Sequence, residues 1–274
     1  MKILLTGASG YIGRRLLTTL LNRGHHVVCC VRDKNRFDIS KYDNAKVEVL
    51  EVDFLDAKSL EKIPRNIDVA YYLIHSMSAS MNDFASLEKK SAENFRDAVQ
   101  ATSVRQVIYL SGIINNKELS KHLASRKAVE EILKTGSYKL TTLRAGIVIG
   151  SGSASFEIMR DLVEKLPLMV APRWLNTKSQ PIAVQNVIEF LTGVMLKEES
   201  YDNSYDIGGP DILTYKQMLL MFAEVRDLKR KIIVVPVMTP KLSSYWLYFI
   251  TSTSYKLAVN LVNSMKVEIV GEKN

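Results

Sequence analysis

The chain has 274 residues, of which 47% are hydrophobic and 24% charged, with a formal net charge of +8 and an isoelectric point near 9.3. This composition excludes a disordered or collagen-like chain, and the length admits one or two domains. No apolar run reaches the about 18 residues of a membrane-spanning helix, and no charged-then-apolar leader is expected before the first apolar stretch.

Cys29 and Cys30 are adjacent, so they cannot staple distant segments. They read as small buried hydrophobes in a reducing, cytoplasmic setting. The positive charge is scattered rather than gathered in a run, which argues against a nucleic-acid partner and for a site that takes a polyanionic ligand. No metal site is assigned.

Lys2 to Thr6 is a short apolar run of the kind that forms a strand buried on both faces. It leads into Gly7-Ala8-Ser9-Gly10-Tyr11-Ile12-Gly13, spaced G-x-x-G-x-x-G. A helical pattern follows, with Ile12, Leu16, Leu17, Leu20 and Leu21 on one face, stopped at Gly24. His26 to Val31 is a second strand. Strand, glycine triplet, helix and strand in that order form the context of a dinucleotide-binding turn. A pyrophosphate sits against the first turn of a helix, where unspent N–H groups and the positive dipole end point outward. Gly7 permits the tight turn, Gly10 the approach of backbone to phosphate, and Gly13 close packing of helix on strand. Ser9, Tyr11 and Ile12 complete the turn.

The second strand ends in Arg32-Asp33-Lys34-Asn35-Arg36, where the adenosine ribose lies in such folds. An arginine there pairs with the 2′-phosphate of NADP(H) as a charge-assisted fork, whereas an acidic residue accepts the 2′-hydroxyl of NAD(H). Arg32 holds the earlier position, so NADP(H) is preferred. Asp33 keeps NAD(H) open.

Lys46 to Val52 alternates as a third strand and runs into Asp53-Phe54. Asp68 to Ile74 is a fourth, buried strand followed by His75, and its carboxyl end, Ile74 and His75, is expected to pass beside the cofactor. Asp83 to Thr102 is a long helix with Leu87, Ala92, Phe95, Ala98 and Val99 inward. Arg105 to Leu110 is a fifth strand ending in Ser111-Gly112. A helix over Ser120 to Glu131 follows, then a sixth strand, Lys139 to Leu143, and Arg144-Ala145-Gly146-Ile147-Val148-Ile149-Gly150.

From about residue 151 a smaller region begins. A polar loop, 151–155, enters a helix from Phe156 to Leu166. Residues 169–174 and 180–184 are extended, Val187 to Leu196 is a helix, Ser204 to Ile207 a strand and Gly208-Gly209-Pro210 a turn. Thr214 caps a further helix, and Ile232 to Val235 is a short strand. The tail from Pro240 to Val270, rich in Leu, Tyr, Trp and Val, is expected as a helix with a broad apolar face, suited to packing on the rest of the chain or to a membrane surface or protein partner.

Taken together, T-G-A-S-G-Y-I-G, V-R-D, Y-Y-L-I-H-S-M, S-G-S-A-S-F-E-I-M-R, P-R-W, Q-P-I-A-V and D-I-G-G-P-D resemble atypical and extended short-chain dehydrogenase/reductases, the NAD(P)H-binding or NmrA-like group. The chain is similar to a bacterial subgroup that usually continues into a further C-terminal domain of unknown function, and it ends near where that domain would start. The resemblance implies a doubly wound parallel α/β sheet of Rossmann type over residues 1–150. A smaller substrate-type region, 151–274, packs against it.

By the same resemblance, Asp53 and Phe54 contact adenine, Ser111 holds the position of the catalytic serine, and Ala145 and Gly146 fall in a stretch beside the nicotinamide. Lys127 resembles the lysine of Tyr-x-x-x-Lys. The tyrosine position is then Leu123, which cannot exchange a proton. A register shifted by one pairs His122 with Arg126 and restores neither residue. The expected function is therefore an oxidoreductase on a quinone-like or other apolar molecule. The rival is a non-catalytic NADP(H)-binding redox sensor or assembly protein, as in the related accessory subunit of respiratory complex I.

Overall fold

The computed structural model describes residues 1–42, 45–74, 84–114, 121–235 and 265–271. In chain order the elements are β1 (Lys2–Thr6), α1 (Tyr11–Asn22), β2 (His26–Val31), β3 (Val47–Glu51), β4 (Val69–Tyr72), α2 (Phe84–Gln100), β5 (Gln106–Gly112), α3 (Lys121–Lys134) and β6 (Lys139–Ala145). There follow β7 (Val148–Ile149), α4 (Ala154–Lys165), β8 (Leu168–Pro172), β9 (Lys178–Ser179), β10 (Ile182–Ala183), α5 (Val184–Gly193), β11 (Asn203–Ile207), β12 (Leu213–Thr214), α6 (Tyr215–Val225) and β13 (Lys231–Val235).

Seven strands form one sheet in the order β11-β6-β5-β4-β1-β2-β3. The pairs β1–β2, β2–β3, β1–β4 and β4–β5 are parallel. The order reverses between β1 and β4, which is the topological switch point where such sheets bind ligands at their carboxyl ends. Continuous apolar strands make this possible, because a parallel sheet is covered on both faces. On one face Leu4, Val28, Cys30, Ala70, Tyr72, Val107 and Tyr109 join Ala92, Phe95 and Val99 of α2 and Val129 and Leu133 of α3 in a single buried cluster. Cys29 and Cys30 are free thiols buried within β2. Removal from water pushes the Cys29 thiol up to about 12.

The chain divides into two compact units. The first comprises residues 1–112, 124–144 and 185–205, and the second 113–123, 145–184 and 206–274. A later segment, 185–205, belongs with the sheet. Tyr71 donates its hydroxyl to the Leu191 carbonyl at 2.9 Å. Gln106 of β5 donates to Thr141 at 2.8 Å and to the Val194 carbonyl at 3.0 Å, and Thr141 donates to the Ser200 carbonyl at 2.8 Å.

In the second unit, β8 and β13 pair in parallel over five residues. Met169, Ala171 and Ile232 turn inward onto Ile158, Leu162, Trp174 and Leu219. Thr214 starts α6 with a capping box, its hydroxyl accepting from Gln217 N–H while the Gln217 side chain accepts from Thr214 N–H. The extended stretch expected over 180–184 holds β10 and ends at Val184, the first residue of α5. Most of the apolar tail helix expected over Pro240 to Val270 lies outside the described residues. Ile269, near its end, is extended and bridges Ser179.

Candidate functional site

The turn after β1 is set by backbone. Thr6 is buried, and its hydroxyl donates to the Tyr71 carbonyl at 3.0 Å and accepts from Leu73 N–H at 2.9 Å. One side chain thus ties the carboxyl ends of β1 and β4 together at the switch point. Gly7 then takes φ +65°, and a Cβ there would lie 2.8 Å from the Leu73 carbonyl oxygen. Gly10 N–H donates to the Gly7 carbonyl at 2.9 Å and Gly10 caps α1 without a side chain. A Cβ on Gly13 would run into the Gly7 carbonyl, so α1 packs as closely on the turn as backbone allows. The first turn of α1 holds no acidic residue, so no carboxylate of that turn offsets the positive end of its dipole. Ser9 is exposed, and Tyr11 and Ile12 are half-buried beside it. Arg15 donates to the Tyr11 carbonyl at 3.2 Å and lies 4.0 Å over its ring.

At the end of β2, Arg32 is exposed and makes no hydrogen bond or ion pair among the described residues. Asp33 caps the short turn Lys34–Arg36, its Oδ1 accepting from Asn35 N–H at 2.9 Å. Glu51 accepts from Lys34 N–H at 3.0 Å. The acidic groups here are held by local backbone donors, and the arginine fork remains available.

Asp53 performs the same turn service, its Oδ1 accepting from Leu55 N–H at 3.0 Å. The Phe54 ring is buried 6.0 Å from Phe95, and its carbonyl accepts from the Asn94 side chain at 2.8 Å. It belongs to the hydrophobic core. Ile74 is half-buried against the same cluster. His75 lies outside the described residues.

The end of β5 is governed by side chains. Ser111 is 4% exposed, and its hydroxyl lies beside that of Tyr109, whose ionisation it favours. Tyr109, two residues earlier, donates its hydroxyl to the Arg126 carbonyl at 3.4 Å, and Arg126 Nη1 donates to the Leu110 carbonyl at 2.9 Å. Burial raises the Tyr109 hydroxyl and the Arg126 charge works against that rise. Ser125 donates to Glu88 at 2.6 Å, both buried. Lys127 is exposed.

The buried stripe of α3 runs through Ser125, Val129, Glu130 and Leu133, at helical spacing. Lys127 lies off that stripe. Arg126 reaches the end of β5 through the Leu110 carbonyl, and Lys127, next to it, is exposed.

Lower on the same helix, Glu130 is fully buried and accepts from Arg144 at 2.8 and 3.1 Å and from Ser204 at 2.8 Å. Burial opposes ionisation, but the Arg144 and Ser204 hydrogen bonds outweigh it and hold the carboxyl below its ordinary value.

Ala145 and Gly146 fall in the second unit. The Ala145 carbonyl accepts from Ile113 N–H at 3.0 Å. A Cβ on Gly146 would meet the Gln180 carbonyl. This glycine has a packing reason of its own.

Known proteins share this architecture. A nucleoside-diphosphate-sugar epimerase from Staphylococcus aureus superposes with a TM-score of 0.77 at 15% identity, over 100% of this chain and 93% of that one. Divinyl chlorophyllide a 8-vinyl-reductase of Arabidopsis thaliana is 22% identical over 77% of this chain and 54% of its own length. The 40 kDa subunit of NADH-ubiquinone oxidoreductase of Neurospora crassa is 23% identical over 84% of this chain and 61% of its own. The chain spans little more than half the length of these two relatives. Residues 7–162 match the model of the NAD(P)H-binding family, and the chain belongs to that family.

Proposed function

We propose that this protein is an NADP(H)-dependent oxidoreductase acting on an apolar, quinone-like or other unsaturated molecule. The observation that carries the reading is the turn after β1, where Gly7 at φ +65° and the close approach of Gly13 to the Gly7 carbonyl leave backbone alone at the start of α1. Ser111 is buried at the carboxyl end of β5, with its hydroxyl beside that of Tyr109. The turn of Gly7, Gly10 and Gly13 fits a pyrophosphate for the reasons of backbone approach given above. Arg32 is free to fork onto a 2′-phosphate, while Asp33 is already engaged by Asn35 N–H.

When bound, the nicotinamide would supply or accept hydride. The work of this chain is to hold the dinucleotide at the turn, to select it through Arg32 and to donate a hydrogen bond from Ser111. Arg126 supports the Ser111 strand end through the Leu110 carbonyl.

A second reading is favoured by Leu123 at the position where a proton-exchanging tyrosine is expected: a protein that binds NADP(H) without turnover. Its likeness to a 40 kDa subunit of a larger oxidoreductase fits that reading.

Calorimetric titration with NADPH and NADH, repeated on Arg32→Ala, tests the cofactor. The expected result is an NADPH preference of about tenfold or more that Arg32→Ala abolishes, as befits a charged hydrogen-bond pair of roughly 1.5–3 kcal/mol. Equal binding of NADH removes Arg32 from the reading. NADPH oxidation across carbonyls and quinones then separates enzyme from binder. Turnover lost in Ser111→Ala supports the first, and tight binding with no turnover of any acceptor supports the second.

A further inference from the structure

The second unit carries an apolar face that its own core does not use. In the parallel pair β8–β13, Leu168 stands opposite Lys231 and Val170 opposite Ile233. Side chains alternate across a strand, so Met169, Ala171 and Ile232 are buried while Leu168, Val170 and Ile233 face outward, 51%, 46% and 44% exposed. Three large aliphatic side chains in contiguous register on one face are not the scattered exposure of an ordinary surface.

The same face starts with cations. Lys231 shares it, and Lys229 is exposed two residues earlier. Neither makes an ion pair among the described residues. The cations beside them are engaged: Arg226 bonds Glu164, Lys165 bonds Asp161, and Arg230 donates to the Val163 and Glu164 carbonyls. Asp227, just before Lys229, is the acidic group nearest in sequence. The sequence that follows β13 continues the theme. Residues 236–264 contain Tyr245, Trp246, Tyr248, Phe249 and Tyr255 with Lys241 and Lys256, and no Asp or Glu. Aromatic and basic residues together are the composition of a membrane interface.

We propose that the outward face of β8–β13 docks on an anionic lipid surface, with Leu168, Val170 and Ile233 entering the headgroup boundary and Lys229 and Lys231 meeting lipid phosphates. A second copy of the chain is the poorer fit. Stable protein interfaces bury about 800 Å² per partner, far more than three half-exposed side chains offer, and a self-paired face would set Lys231 against its own kind. A bilayer needs no matching partner surface, and each lysine near an anionic leaflet strengthens binding.

The test is co-sedimentation of the full chain with vesicles of phosphatidylcholine containing one quarter phosphatidylglycerol, and with phosphatidylcholine alone, at low and high salt. The expected result is binding to the anionic vesicles that weakens with salt. Lys229→Gln/Lys231→Gln should weaken it about 30-fold, because each cation near such a surface strengthens binding about fivefold, and Leu168→Glu/Ile233→Glu should abolish it. The lysine pair is exposed, so that variant keeps its fold whatever becomes of the apolar one. NADPH titration of both variants, expected to match wild type, checks that the cofactor unit is intact.

Three outcomes overturn the proposal. The wild type binds no vesicles, both variants bind as the wild type does, or the face proves to bury a second copy, seen as a concentration-dependent dimer that Leu168→Glu/Ile233→Glu dissolves and vesicles do not compete for.

Discussion

The turn after β1 and the end of β5 lie on the same sheet, and they are built in opposite ways. At the turn, backbone decides everything. Gly7 is fixed by a positive φ, and Gly7 and Gly13 by carbonyls that leave no room for a Cβ. At β5, side chains decide. Arg126 donates to the Leu110 carbonyl, and Tyr109 donates to the Arg126 carbonyl and bonds Ser111. A site made of backbone survives only if its glycines do. A site made of side chains can exchange its chemistry while the scaffold stays, which is why family membership here establishes dinucleotide binding and leaves the reaction to be proposed.

The largest effect should come from the side-chain end. Glu130→Ala removes a buried carboxylate that accepts from Arg144 and Ser204 and should cost about 1–3 kcal/mol or more, read as a fall in melting temperature. The carboxyl is held below its ordinary value, so its contribution is present above the unfolded glutamate value of about 4.3 and is lost as pH falls through the lower folded value. The stability gap between wild type and Glu130→Gln should therefore narrow in that acid window and hold steady above it. A gap independent of pH down to acid unfolding would show that the charge is immaterial.

Next comes the backbone end. Gly13→Ala presses a methyl against the Gly7 carbonyl, and overpacking of this kind costs about 1–3 kcal/mol. Calorimetry should show NADPH affinity reduced about tenfold or more while circular dichroism stays native. Unchanged affinity would mean that the turn adapts and that the contrast between the two ends is weaker than drawn. The smallest effect sharpens the register of α3. Lys127→Ala should stay within about 0.5 kcal/mol of wild type, as exposed substitutions do. Arg126→Ala removes a charged donor from the Leu110 carbonyl and should cost about 1.5–3 kcal/mol. The reverse order in thermal melts would restore Lys127 to the strand end.

Much of the architecture is legible in the sequence because its signals are local. Apolar strands, the glycine spacing and Gly24 mark β1, α1 and β2 within a few residues. Arg32 and Asp33 are both readable as candidates, but only the fold shows that Asn35 N–H occupies Asp33. The neighbours of Phe54 match a ligand-contact pattern, while its ring lies in the core with Phe95. Glu88 and Ser125, 37 residues apart, give no sequence signal at all, since a buried pair between two helices is a product of tertiary packing. The place of residues 185–205 beside the sheet is silent in sequence for a similar reason. The bonds from Gln106 and Tyr71 that draw residues 185–205 back to the sheet connect positions 88 and 120 apart.

The adjacent thiols of β2 offer a clock. Cys29 and Cys30 lie in a strand with neighbours on both sides, and burial holds the Cys29 thiol near 12. Only the thiolate reacts, so neither sulfur meets an alkylating reagent while the sheet is closed. Labelling then proceeds at the rate at which β2 is exposed, and its dependence on denaturant reads the opening free energy of the central sheet directly. A bound dinucleotide should slow that clock by the factor its affinity dictates, making two buried sulfurs a reporter of occupancy at the turn that follows the neighbouring strand.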